Sequence, residues 1–164
     1  MLGSMRVVPD ETVSRFLPPR GISLLLAAAG ELPATTPAAA LRRARARFLV
    51  LAFYLTGVRV SELTGADMRS LRRDGAGAGA GAWWLHVLGK RRRGGAVPAP
   101  AALPDEDPAY RRAYDLPTMP AVGEFPSLIL SSRGLLRRMN HSAVAEAVLL
   151  VMRGAVALAV ARGQ

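Results

Sequence analysis

The stretch that most constrains this chain runs from Pro37 to Gly57, AAALRRARARFLVLAFYLTG after the proline. It is too long for a strand and has no internal Gly or Pro. Proline suits the first turn of a helix, and glycine suits the position just beyond its end. The spacing predicts one helix over the whole run. Arg42, Arg43, Arg45 and Arg47 crowd its first half, while Phe48, Leu49, Leu51, Ala52 and Leu55 make the second half core-like. A buried helix with a solvated start is expected.

Before Pro37 the pattern is weak. Pro9, Pro18, Pro19 and Pro33 punctuate residues 1–36, and one apolar stretch, Ile22 to Ala29, has the length of two helical turns. We therefore expect a poorly patterned extension over 1–36 and a single domain over 37–164. At 164 residues the chain is long enough for one core and short for two.

After Gly57, VRVSELTGADM reads as a short helix ended by Gly65. The tract GAGAGAGA, residues 75–82, is too glycine-rich for a stable helix and reads as a floppy hairpin loop. WWLHVLGK, rich in aromatic and β-branched residues, reads as a strand. RRRGG forms a basic turn, and AVPAP starts a partner strand that Pro98 confines to a sheet edge. Trp83 and Trp84 fall on opposite faces of one strand, so at least one belongs to the core, and neither is assigned to base stacking. DPAYRRAYD is a weak helix between prolines, SLILSS a short strand and RGLLRRMNHS a basic connector. Asn140 or Ser142 can cap a final helix, AVAEAVLLVMRGAVALAVA, with a wide apolar face. The fold class is mainly α with a small antiparallel hairpin or sheet, α+β.

Charge narrows the partners. Lys and Arg total 22 against 12 acids, a net +10, which points to a polyanion, nucleic acid before a membrane surface. Without cysteine there is no disulfide framework, no thiolate chemistry and no Cys-ligated zinc. His86 and His141 are too few and too far apart for a metal site, and no cofactor is expected. The N-terminus has no apolar signal region, and Glu146 and Arg153 interrupt the longest apolar tract. The expectation is a cytoplasmic protein outside the membrane.

One residue stands apart: Lys90 is the only lysine among the 22 basic residues. The stretches FYLTGVRVSELTGADM, LHVLGKRRRGGAVPAP and LILSSRGLLRRMNHSAVAEAV, taken in this order, resemble the tyrosine recombinase (phage integrase) family over roughly residues 37–160. The first is similar to that family's arginine motif and the second to its lysine hairpin followed by a val-pro strand. The resemblance implies the N-terminal part of a recombinase-like catalytic domain, acting in DNA integration and recombination by tyrosine-mediated strand exchange on double-stranded DNA.

On that resemblance Arg59 and Lys90 are the catalytic candidates. A planar guanidinium can donate two hydrogen bonds to one phosphate and stabilise the transition-state charge, which suits Arg59. The leaving 5′ oxygen needs a proton. Arginine cannot supply one, and a lysine whose pKa is lowered can, which suits Lys90. Glu62, three residues after Arg59, can orient it. Arg91, Arg92 and Arg93, with Arg42 and Arg43, are candidate DNA contacts.

The departures from the family pattern are equally specific. Neither His86 nor His141 begins a His-x-x-Arg motif, and Tyr54, Tyr110 and Tyr114 all lie upstream of the family's nucleophile position. Gly95 stands where relatives commonly carry a basic residue. The sequence stops just after the final helix, so a truncated, catalytically incomplete form is expected. It would self-associate through that helix's exposed apolar face. The alternative is a basic DNA-binding or regulatory module without strand-cleavage chemistry.

Overall fold

The expected long helix is fixed at both ends. In a computed structural model that describes residues 17–73, 81–89, 93–120, 124, 126–133 and 136–163, α2 spans Pro37–Thr56. The Thr36 hydroxyl accepts a hydrogen bond from Ala39 N, and Pro37 takes a position whose N–H needs no partner. Gly57 ends the helix at φ 64° and ψ 15°, and its N–H donates to Phe53 O. Along the length between, Phe48 to Ala52 are buried.

The other helices are α1 (Pro19–Glu31), α3 (Val60–Gly65), α4 (Ala102–Ala113) and α5 (His141–Ala161). The apolar stretch Ile22 to Ala29 thus extends to a thirteen-residue helix, longer than its pattern suggests. Asn140, rather than Ser142, caps α5, its side-chain oxygen accepting from Ala143 N at 2.8 Å. Strands β1 (Leu71–Arg73), β2 (Trp83–Leu88) and β3 (Gly94–Pro98) form an antiparallel sheet in that order, with Leu85 paired to Leu71 on one side and Val97 on the other. Pro98 does sit in an edge strand, where its missing N–H costs no ladder bond. Residues 74–80, which hold most of the Gly-Ala tract of 75–82, lie outside the described residues.

Two apolar clusters hold these elements. The larger joins Phe48, Leu49 and Ala52 of α2 to Leu63, Leu85, Tyr110 and Val144. The smaller, Ala28, Ala29, Ala46, Val50, Val151 and Ala155, lies where α1, α2 and α5 meet. Its small residues let helices approach closely: a Cβ on Gly154 would sit 3.3 Å from Ala28 Cβ. α5 is long and apolar enough by composition to cross a membrane, and its buried residues are only Val144, Val151 and Ala155. Leu149, Leu150, Met152, Val156 and Val160 are exposed along it.

Two expectations change, and one strand forms that the sequence did not signal. SLILSS is not a strand; among the described residues it makes only single bridges, Asp67 with Ser127 and Leu130 with Arg138. Its backbone groups are shared out: Leu128 O and both groups of Leu130 bond the side chains of Tyr110, Tyr114 and Arg45, while Leu128 N, Ile129 O and Ser131 N make isolated backbone bonds to Ala66, Met139 and Arg137. β1 carries no strand signature, being three residues long with two arginines; its pairing with β2 makes it a strand. The start of α2 is not uniformly solvated either. Arg42 and Arg43 are exposed, but Arg45 is buried and Arg47 makes a two-pronged ion pair with Glu106 at 3.0 Å, because this helix face packs against α4.

Candidate nucleic-acid interface

The left-handed turn at Gly57 and burial of Val58 set the exit of α2, so the next residue, Arg59, becomes the N-cap of α3. Glu62 at the third helical position then reaches back. Its Oε2 accepts from Arg59 N at 2.8 Å, satisfying a backbone donor that the helix start leaves open, and its Oε1 accepts from Arg59 Nη1 at 3.1 Å. The exposures of the two side chains are opposite: 79% for Arg59 and 11% for Glu62. Glu62 therefore holds the root of an arginine whose other donors face solvent. The backbone N–H of Arg59, with further help from its guanidinium, holds the Glu62 carboxyl below the usual range, against the opposing effect of desolvation.

The β2–β3 hairpin comes back to this pair. Gly89 N donates to Arg93 O at 2.9 Å, and a Cβ on Gly89 would lie 3.6 Å from Glu62 Oε1. Arg59, Ser61, Glu62, Leu88 and Gly89 line a common cleft of about 520 Å³. The structure thus brings the arginine motif and the base of the lysine hairpin together, although about thirty residues separate them in the chain. Arg93 is exposed at that base. Lys90, Arg91 and Arg92 lie outside the described residues.

Arg42 and Arg43 are not part of this group. They lie on the first turns of α2, and from Arg43 to Thr56 the helix rises about 20 Å. The basic surface is divided between the two ends of one helix. One further arginine reinforces the Arg59 end: Arg138 Nη1 donates to Thr64 O and ties the connector before α5 to the end of α3. Nothing in the sequence signals this contact, since the partners are 74 positions apart.

The tyrosines are placed for structure. Tyr110 and Tyr114 belong to the helix expected between prolines, Tyr114 as its C-cap. Tyr110 lies in α4, is 0% exposed and stacks on Phe48 with ring centroids 4.5 Å apart. Its hydroxyl donates to Leu128 O and accepts from Leu130 N, both at 2.9 Å. Burial raises its pKa far above the ordinary phenol value, and Tyr114, whose hydroxyl donates to Leu130 O, is shifted up for the same reason. Tyr110 cannot meet a phosphate, and the hydroxyl of the half-buried Tyr114 is already engaged by Leu130 O. Tyr54 is exposed, but it borders an apolar groove with Leu17, Leu25, Phe53 and Val148 that no described basic side chain lines. Among the described residues no group of His, Asp or Glu is arranged to hold a metal ion.

Fold and site together define a mixed α+β protein with a three-stranded antiparallel sheet and an anchored, solvent-facing arginine beside a hairpin base. In comparisons with protein-family models, curated proteins and solved structures, nothing matches this chain.

Proposed function

We propose that the chain binds double-stranded DNA through its phosphates, as the arginine-and-hairpin portion of a recombinase-type (integrase) catalytic domain, and cleaves no strand by itself. The observation that carries this reading is the Arg59–Glu62 pair beside Gly89: a guanidinium fixed at one edge and open at the other, next to the turn that bears the only lysine. Such a guanidinium suits bidentate phosphate contact, and Lys90 is the residue able to give a proton to a leaving oxygen. Glu62 is a positioning residue. Arg91, Arg92 and Arg93 supply further phosphate contacts, and Arg42 and Arg43 lie too far along α2 to touch the same phosphate.

A second reading, a DNA-binding or regulatory module without chemistry, is favoured by the tyrosines: two are sequestered, and the third borders an apolar groove. Mobility-shift titration tests the shared part. Affinity falls with salt by about 0.9 log per neutralised phosphate, and Arg59→Ala lowers both affinity and slope. Affinity independent of salt rejects DNA binding. A nicked suicide substrate should trap no covalent adduct with this chain alone, and an adduct on any of the three tyrosines refutes the assignment. Supplied in trans with a segment bearing that family's His-x-x-Arg and tyrosine motifs, the recombinase reading expects cleavage that Arg59→Ala and Lys90→Arg both abolish. The module reading expects none.

A further inference from the structure

α2 carries Arg45 into the interior with no acid to meet it. The residue is 6% exposed, Nη1 donates to Leu130 O at 3.1 Å, and Nε is buried without a hydrogen-bond partner among the described residues. The ion pairs of the described residues join Arg47, Arg59, Arg69 and Arg111 to acids, and none involves Arg45. Its guanidinium also hydrogen-bonds the Tyr114 hydroxyl, and Tyr110 lies close by, but burial keeps both phenols neutral, so neither supplies a countercharge. Arginine cannot shed its proton to escape this situation, and a buried cation offset only by dipoles is costly.

Arg45 borders a cleft of about 420 Å³, within the range of small-molecule sites. Two exposed arginines, Arg42 from α2 and Arg133 from the loop before α5, stand on its rim beside Ser132. Met139, Ala147 and Leu150 form an apolar wall. The one acid on the lining is Glu146, exposed and without an ion pair among the described residues. Three cations against one carboxylate leave an excess of two positive charges at the polar end.

We infer that this cleft binds a small amphipathic anion, a phosphate or carboxylate head on Arg45, Arg42 and Arg133 with a short apolar body against Met139, Ala147 and Leu150. The buried guanidinium supplies the demand for an anion, the rim arginines supply the attraction, and the apolar wall sets this ligand apart from a bare phosphate or a DNA backbone. The site lies at the opposite end of α2 from Arg59 and does not depend on the DNA reading. It reassigns Arg42 from a duplex contact to a ligand contact.

Calorimetric titration of the full chain tests this with octyl phosphate, octanoate, inorganic phosphate and octanol as probes. Octyl phosphate or octanoate should bind about tenfold or more tighter than either inorganic phosphate or octanol, a decade being 1.4 kcal/mol. Arg45 also anchors Leu130, so Arg45→Leu risks unfolding; the surface variant Arg133→Ala keeps the test clean, and Ala147→Trp, at a half-buried position, is read only with a thermal melt matching the parent's. Arg133→Ala should weaken octyl phosphate about tenfold, Ala147→Trp should abolish its binding by filling the apolar half, and Glu146→Gln should strengthen it. The inference is overturned if inorganic phosphate binds as tightly as octyl phosphate, if no probe binds, or if Arg133→Ala has no effect. It is also overturned if a short DNA duplex displaces octyl phosphate in an Arg133-dependent way, which would make the cleft part of a nucleic-acid surface.

Discussion

Replacing Tyr110 by phenylalanine isolates a single oxygen. The ring that stacks on Phe48 is retained, so packing changes little and no cavity larger than a hydroxyl opens. Two backbone groups lose their partners, Leu128 C=O and Leu130 N–H, both belonging to residues 1% exposed or less. An unsatisfied buried polar group costs about 1–3 kcal/mol, so two of them, with some local relaxation, give about 2–4 kcal/mol of destabilisation. Urea unfolding of the two proteins at the same pH measures it. With a slope of about 2 kcal/mol per molar, the midpoint should fall by about 1–2 M at unchanged slope. A loss under about 0.5 kcal/mol would refute the claim that this hydroxyl holds the segment from Ser127 to Leu130 in place. DNA affinity of the folded variant should be unchanged, because Tyr110 has no access to a phosphate.

Asp107 gives a pH prediction. Burial, opposed by the Arg111 charge and reinforced by Glu124, pushes its carboxyl from 3.8 to about 6. The folded state therefore holds a proton that the unfolded state releases, and this group's contribution to stability is present at low pH and lost as pH rises from about 4 through about 6. The gap corresponds to about 3 kcal/mol at most. Asp107→Asn should remove that loss, so its stability relative to the parent in urea melts should rise between pH 4.5 and pH 7; a pH-independent difference contradicts the assignment. Gly57→Ala should destabilise by about 1–2 kcal/mol from the left-handed backbone alone, since nothing lies within 4 Å of the added Cβ. A thermal melt unchanged by it would disprove that origin. Sedimentation should show concentration-dependent self-association that Leu149→Lys with Val156→Lys abolishes, both residues being exposed on α5; a monomer at all concentrations contradicts it.

Local chemistry determined much of this protein. Pro37 and Gly57 bracket one helix because each suits its own end, and aromatic and β-branched residues made β2 legible as a strand. The Arg59–Glu62 pairing was legible for the same reason: two residues three positions apart at a helix start are brought together by the helix itself. Tertiary structure decided the rest. Arg43 and Arg45 look alike in sequence, yet one is exposed and the other buried, because only packing against Leu130 tells the helix faces apart. SLILSS has the composition of a strand and forms none, since Tyr110, Tyr114 and Arg45 take Leu128 O and both groups of Leu130, and the remaining backbone bonds, to Ala66, Arg137 and Met139, are isolated. β1 is the converse: two arginines and a leucine become a strand because β2 offers an open edge. Backbone hydrogen bonds must be satisfied wherever the chain is buried, but which group satisfies them is set by neighbours distant in sequence, and no local pattern encodes that choice.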